Sequence, residues 1–267
     1  GCLLIGLLFG YIQKNNLQDT NNRLGFVKKL YFFMLKILAD AHIPYIDDLF
    51  SEHFHVSRFH HEGELLSLIT SNDILICRSN IKITKKMLEN TPIQLVASAT
   101  SGTDHIDLFG LQDLKIPVIH AKGSNAHAVS DYIISTLAYL ETQHLMRGKN
   151  IAIIGYGSVG SMVNQRINAL GYHAFQYDPY IQTPNPIALS QLHDMDVISL
   201  HPNYHMSPPY STHHFINSKL LEKLKPKVCI INAARGNVVD ENAILHRDFQ
   251  GIYCADVYSD EPNINPN

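Results

Sequence analysis

The sequence predicts an α/β fold made of two doubly wound parallel-sheet domains, a flavodoxin-like substrate domain followed by a Rossmann domain. Three observations carry this. Short apolar runs recur along the chain, and stretches with helical spacing separate them, the alternation that builds a parallel sheet covered on both faces. One such run, Ile151–Ile154, breaks at once into a glycine-rich turn that opens a helix. The rhythm then repeats in the second half with no short internal repeat.

The elements follow in order from Met34. Strands are predicted at Lys36–Ala39, His55–Phe59, Ile74–Cys77, Leu95–Ser98 and Val118–His120. Helices are predicted near Tyr45–Ser51, Glu64–Thr70, Thr84–Glu89 and Ile106–Leu111. A longer helix spans Ser124–His144, because Val129, Ile133, Leu137 and Leu140 form one apolar stripe. Ser124 or Asn125 is its candidate cap. In the second half, strands are predicted at Ile151–Ile154, Ala174–Tyr177, Asp196–Leu200, Val228–Asn232 and Ile252–Val257. Helices fall at Gly160–Leu170, Asn217–Leu224 and Asp240–Leu245, and His201–Pro209 reads as a loop. The division is residues 34–123 for the substrate domain and 124–267 for the Rossmann domain. Residues 1–33 are an extension without a clear fold role. Their apolar start, GCLLIGLLFGYI, is too short to span a bilayer, and a membrane anchor is the rival reading.

The glycine turn reads Gly155-Tyr156-Gly157-Ser158-Val159-Gly160. Gly155 permits a tight turn off the strand. Gly157 lets the backbone approach a pyrophosphate. Gly160 lets the helix lie close to the sheet, and the helix N–H groups, from Ser158 and Val159 onward, face the phosphates. Asp178 ends the next strand and is placed to accept from a ribose diol. An acid there repels a 2′-phosphate, so NAD is expected over NADP. A glycine pattern alone is a weak signal; strand, turn, helix, strand and terminal acid in this order are a specific one.

Composition bounds the rest. The 267 residues suffice for two domains, and an apolar content of 45% suffices for their cores. A net charge of −3 with no long basic run argues against nucleic-acid binding. The 16 histidines are scattered, with no cluster at metal-ligand spacing. Four cysteines show no paired spacing, and three lie in or beside apolar runs, which fits packing roles in a reducing compartment.

In doubly wound sheets ligands sit beyond the carboxyl ends of the strands. Arg78-Ser79, Thr100-Ser101-Gly102, His201, Arg235-Gly236 and Asp256 all follow strand candidates. Together with the runs INAARGNVVDENAIL and ADVYSDEP, they make the chain from Leu35 onward resemble the D-2-hydroxyacid dehydrogenase family. The segments ILADAHIPY, CRSNIKIT, ATSGTDHID and GSNAHAVSDYI resemble a branch acting on a small phosphorylated 2-hydroxy acid. The resemblance implies that Arg235 holds the substrate carboxylate and that Glu261 orients and charges a catalytic histidine. It places Asp256 by the nicotinamide, the backbone of Ala233 and Ala234 against the cofactor, and Ser79 and Thr100 on the substrate. It also implies a cytoplasmic homodimer for the full-length protein, with no membrane or nucleic-acid partner.

The chemistry asks for a similar set. A planar guanidinium suits a carboxylate, and an ion-paired histidine suits proton removal from a hydroxyl. Plainer roles compete at several positions. Arg235 fits an ion pair within its domain, Glu261 a solvated turn, and Thr100-Ser101-Gly102 an ordinary turn instead of an anion nest. Asp104 and His105 read as a local helix start. His201 lines the cofactor groove or packs in its loop.

Two departures stand out. The family's histidine lies downstream of the acid in a PHxxG-like run, and no histidine follows Glu261 in these 267 residues. The chain therefore reads as a C-terminally truncated fragment whose second domain is incomplete and which is inactive alone. The family's His-Thr-Pro is replaced by His201-Pro202-Asn203, and proline has no N–H to offer the cofactor. Two rivals remain open: a family member acting on glycerate, lactate or 3-phosphoglycerate, and a non-catalytic NAD-sensing binding protein.

Overall fold

The computed structural model describes residues 35–51, 54–245 and 249–261. The expectations for the N-terminal extension, for Met34 as its boundary, for Cys2 and for the segment after Glu261 lie outside the described residues. The chain divides into two units, Gly1–Ser124 and Asn125–Asn267.

The first unit holds a five-stranded, all-parallel sheet in the order β2-β1-β3-β4-β5. The strands are β1 Lys36–Asp40, β2 His55–Phe59, β3 Ile74–Cys77, β4 Leu95–Ser98 and β5 Val118–His120. Helices α1 Ile46–Phe50, α2 Glu62–Leu68, α3 Lys85–Leu88 and α4 Leu108–Asp113 cover it. Alternate residues of each strand feed opposite cores. Ile37, Ala39, Ile74, Ile76, Leu95 and Ala97 pack with Ile46 and Phe50 of α1. Leu38, Leu75, Cys77 and Val96 pack with Leu65 of α2, Leu88 of α3 and Leu111 of α4. A strand buried on both faces reads as an unbroken apolar run, which is why ILIC and LVAS were legible as strands. Burial, with the Asp40 charge nearby, pushes the Cys77 thiol up to about 12, so it acts as a small apolar group.

The second unit starts with α5 Ala126–Thr142. Its sheet is also parallel, in the order β10-β9-β8-β6-β7. The strands are β6 Asn150–Ile154, β7 His173–Tyr177, β8 Val197–Leu200, β9 Cys229–Asn232 and β10 Ile252–Ala255. Pro186 forms a parallel bridge with Gln176 of β7, flanked by Gln176 N–H to Asn185 O at 2.9 Å and Ile187 N–H to Gln176 O at 2.9 Å. That bridge is a vestigial strand outside β7, and it completes the Rossmann order. Helices α5 and α6 (Ser158–Ala169) bury Ile133, Leu137, Leu140, Val163 and Ile167 against one face. The other face is covered by a 3₁₀ turn, Leu189–Asp194, and by the segment carrying α7 Ser218–Leu221 and α8 Glu241–Leu245. Among the described residues no helix is long and apolar enough to cross a membrane.

Some local expectations change. Asn125 is the α5 cap residue, but its side chain accepts no hydrogen bond, so neither candidate cap works through its side chain. The predicted helix Ile106–Leu111 is displaced to Leu108–Asp113, because the Asp107 carboxylate caps it by accepting Gly110 N–H at 2.9 Å. His105 therefore starts no helix: it is 8% exposed and lies in the core. The stretch Asn217–Leu224 forms only one α-helical turn, and the last strand ends at Ala255, two residues before Val257. The 3₁₀ turn at Leu189 lacked enough helical spacing to be read.

Candidate functional site

The second sheet is built outwards in opposite directions from β6 and β8, the switch point where parallel sheets open a crevice at their carboxyl edge. Five connections leave that edge. They carry Gly155–Gly160 after β6, Asp178 after β7, His201 after β8, Ala233–Arg235 after β9 and Asp256 after β10. Because all five strands are parallel, every predicted cofactor residue and Arg235 lie on one edge of one sheet.

Each glycine of the turn has its own reason. Gly155 has φ +87°, and a Cβ there would lie 2.7 Å from Pro202 N and 2.8 Å from the His201 carbonyl carbon. The loop after β8 thus rests directly on the turn. A Cβ on Gly160 would lie 2.1 Å from Gly155 O, so only glycine lets α6 start against the strand end. Gly157 is different: a Cβ would meet nothing within 4 Å. It is the N-cap residue of α6 and contributes no side-chain cap. The first N–H groups of a helix have no intrahelical acceptor. An open cradle over uncapped N–H groups, with the positive end of a twelve-residue helix behind it, suits a pyrophosphate. The residues present therefore fit a dinucleotide.

Asp178 is half-buried, and its carboxylate is fixed at both oxygens. Oδ2 accepts Tyr156 N–H at 2.8 Å and Oδ1 accepts Tyr180 N–H at 2.9 Å. A carboxylate has about four acceptor positions, so two remain for a diol. His201 lies beside the turn. Its Nε2 is 2.8 Å from Ser199 Oγ, while its buried Nδ1 has no protein partner. Burial drives its pKa down to about 3, so the ring is neutral.

Asn232 sets the next turn, and sequence reasoning missed it. It is fully buried at the end of β9. Its amide donates to Arg235 O at 3.1 Å and to Tyr253 Oη at 3.2 Å, and its Oδ1 accepts Ala234 N–H at 3.2 Å. One side chain therefore folds Ala233–Arg235 over the strand end. A Cβ on Gly236 would lie 2.0 Å from the Tyr258 carbonyl carbon, so the turn also packs on the segment after β10. Arg235 is exposed and donates to Ala234 O at 2.8 Å, among other contacts. Asp256 N–H donates to Asn232 O at 3.0 Å. Glu261 lies in an exposed turn and accepts Tyr258 N–H at 2.7 Å. The available signal for Asn232 was a polar residue closing the apolar run CII.

In the first unit Ser79 is exposed in the turn after β3, and Thr100 is half-buried after β4. These strands are neighbours, with Cys77 opposite Ser98. Thr100 Oγ1 lies 2.8 Å from Ser98 Oγ and donates to Gly102 O at 3.2 Å. Ser101 Oγ accepts Gly123 N–H at 3.1 Å. Among the described residues, no group of three His, Cys, Asp or Glu side chains is placed to hold a metal ion.

The fold and the strand-end residues define a doubly wound protein with a dinucleotide-binding type of second sheet. Residues 33–154 match the catalytic domain of the D-isomer specific 2-hydroxyacid dehydrogenases, and residues 130–267 match their NAD binding domain. The chain belongs to this family. It is 42% identical over 235 residues to the erythronate-4-phosphate dehydrogenase of Legionella pneumophila strain Philadelphia 1, covering 86% of this chain and 67% of that protein. The Coxiella burnetii strain RSA 331 protein of the same name is 35% identical over 251 residues, covering 87% of this chain and 65% of its own length. The chain thus spans about two thirds of these relatives. In fold it is similar to D-lactate dehydrogenase from Aquifex aeolicus, solved with NAD and lactic acid, with a TM-score of 0.72 at 22% identity over 84% of this chain and 77% of that one.

Proposed function

We propose that the chain carries the cofactor and substrate elements of an NAD-dependent enzyme that oxidises 4-phospho-D-erythronate to 2-oxo-3-hydroxy-4-phosphobutanoate. This is a step of pyridoxal-phosphate synthesis, and the enzyme works in the cytoplasm as a homodimer. The observation that carries the reading is the carboxyl edge of the second sheet. An open glycine cradle, a fixed acid and an arginine turn all leave it. Identity of 42% to a protein named for this substrate supports the choice within the family.

When bound, NAD supplies the hydride acceptor. The protein residues do the rest. Gly157 and the start of α6 seat the pyrophosphate, and Asp178 takes the ribose diol and disfavours a 2′-phosphate. The backbone of Ala233 and Ala234 and the Asp256 carboxylate flank the cofactor. Arg235 grips the substrate carboxylate through a planar fork, aligning the reacting carbon. Ser79 and Thr100 hold the substrate from the first unit. Glu261 is the acid that orients and charges a histidine base. Residues 262–267 hold no histidine, so the base that Glu261 would charge is not assigned to a residue after it here.

The test pairs NADH titration with turnover on 4-phospho-D-erythronate, D-glycerate, D-lactate and 3-phosphoglycerate. The chain extended with a family PHxxG-like segment is measured beside the 267-residue chain. The expected result is NADH binding by both and preferential oxidation of 4-phospho-D-erythronate by the extended one. Oxidation of an unphosphorylated acid in preference, or no nucleotide uptake, would overturn the proposal.

A further inference from the structure

Gln176 is 1% exposed, yet nothing in the site above uses it. It lies on the face of β7 that carries Ala174 into the core beneath α5 and α6. An apolar residue there would add to that core, so a buried amide is informative. Both its N–H groups and its carbonyl are engaged. Nε2 donates to Asn164 Oδ1 at 2.7 Å and to Ala174 O at 3.1 Å. Oε1 accepts Asn185 N–H at 2.7 Å.

Two arms leave this amide. The first runs through α6. Asn164 Nδ2 donates to Tyr156 Oη at 3.1 Å. Tyr156 is the second residue of the glycine turn, and its own N–H donates to Asp178 Oδ2. Beside it, Gly155 N–H donates to Tyr177 O at 2.9 Å. The turn is therefore tied to the end of β7 by its backbone, and to the Gln176 amide by the Tyr156 hydroxyl. The second arm runs outwards. Asn185 meets β7 through its N–H on Gln176, its Nδ2 on Ala174 O at 2.9 Å, and its carbonyl, which accepts Gln176 N–H at 2.9 Å. These bonds close the base of loop 178–185. Asp178 stands at the start of that loop, with Oδ1 on Tyr180 N–H.

One buried side chain thus reaches the pyrophosphate turn on one side and the loop of the ribose acid on the other. Pyrophosphate and ribose are joined covalently in one ligand, so the groups that receive them must keep one spacing, to within about 0.5 Å. A plainer reading is an amide that only satisfies the edge of β7. That accounts for Asn185. It leaves Asn164 and Tyr156 unexplained, because the strand edge needs neither. In a linked network, removing one member also leaves its neighbours without partners.

We infer that Gln176 is a positioning residue for the dinucleotide, holding the glycine turn and Asp178 at one spacing, and that this spacing sharpens the choice of NAD over NADP. The inference rests on the reading in which the pyrophosphate lies over Gly157 and the ribose diol on Asp178. An acid held in register accepts from the diol and repels a 2′-phosphate; the same acid displaced does both less well. Loosening it therefore weakens NADH more than NADPH.

The experiment is fluorescence titration of the 267-residue chain with NADH and with NADPH, beside thermal unfolding. Gln176→Met keeps the length of the side chain and removes the amide. NADH affinity should fall by about 10-fold and NADPH affinity by about 3-fold, so that their ratio narrows by about 3-fold. A merely structural role would lower the folded fraction and weaken both nucleotides by one factor, leaving the ratio unchanged. Asn164→Leu, at a half-buried position of α6, cuts only the arm to Tyr156 and should weaken NADH by about 3-fold. Added to Gln176→Met it should cost less than about a further 2-fold, because both changes break one chain of contacts. If Gln176→Met does not fold, Asn164→Leu carries the test, and NADH affinity equal to the parent then overturns the inference. In folded Gln176→Met, an unchanged ratio overturns it and leaves the dinucleotide reading standing. Full additivity in the double variant overturns the arm through Asn164. Uptake of neither nucleotide, or equal affinity for both, by the unsubstituted chain overturns that reading and this inference with it.

Discussion

Gly157→Ala separates the two kinds of glycine in the turn after β6. A Cβ at Gly157 meets nothing within 4 Å, and the backbone there has φ −77°, which any residue tolerates. Two small effects on stability oppose each other. Alanine is a poorer N-cap than glycine, at a cost of about 0.5–1 kcal/mol. It also restricts the unfolded chain, a gain of about 0.4–1 kcal/mol. The net change is within about 1 kcal/mol, or a melting shift of about 2–4 °C at most. The added methyl nevertheless occupies the space from which the uncapped N–H groups of α6 reach an anion. Losing one charge-assisted contact costs about 1.5–3 kcal/mol, so NADH affinity should fall by about 10- to 100-fold. Gly155→Ala is the opposite case. It forces alanine to φ +87° and sets a methyl 2.7 Å from Pro202 N. Strain and overlap together should cost about 3 kcal/mol or more, a melting drop of roughly 10 °C. The assays are thermal unfolding and NADH fluorescence titration on both variants. The reasoning is refuted if Gly157→Ala binds NADH within about 2-fold of the unsubstituted chain, or if it unfolds like Gly155→Ala.

Three further outcomes are expected. Asp178→Asn removes the charge and leaves one amide oxygen, which can accept from only one of Tyr156 N–H and Tyr180 N–H; the ratio of NADH to NADPH affinity should fall by about 10-fold, and an unchanged ratio would deny Asp178 its discriminating role. His201 is held neutral with its pKa near 3, whereas in the unfolded chain it titrates near 6.5. Below 6.5 the unfolded state binds the extra proton first, so stability falls as pH drops towards 3. By pH 5 the loss is about 2 kcal/mol at most, and in urea unfolding His201→Gln should lose that much less than the parent between pH 7.5 and 5. Asn232→Ala removes the three contacts that hold Ala234, Arg235 and Tyr253; it should destabilise the chain by about 2–3 kcal/mol in the same assay, and a loss below about 0.5 kcal/mol would show that the turn holds itself.

The regular parts of the fold were readable because their physics is local. β3 and β4 begin and end where the apolar runs do, since a parallel strand buried on both faces must be apolar throughout; the edge strands β2 and β5, which carry His55, Ser57, Arg58 and His120, also keep the bounds read from the sequence. The glycine turn was readable because its residue types answer to φ and to close backbone approach within a few positions. Helix ends were less legible: Asp107, through its bond to Gly110, moved α4 two residues along, and Asn125 lent α5 no side chain. The 3₁₀ turn and the Pro186 bridge carried too little periodicity to register.

The sequence by itself determined the alternation of strands and helices, the glycine turn with the acid that ends the next strand, and the candidate arginine. Tertiary structure alone decided which polar residues hold those groups in place. Gln176 meets Asn164 only because β7 packs on α6, and the fit of Gly155 is set by the His201–Pro202 peptide from another strand. Asn232 likewise closes its turn with help from Tyr253 on β10. Such contacts join residues far apart in the chain, and a buried polar side chain declares its purpose only when its partner is known.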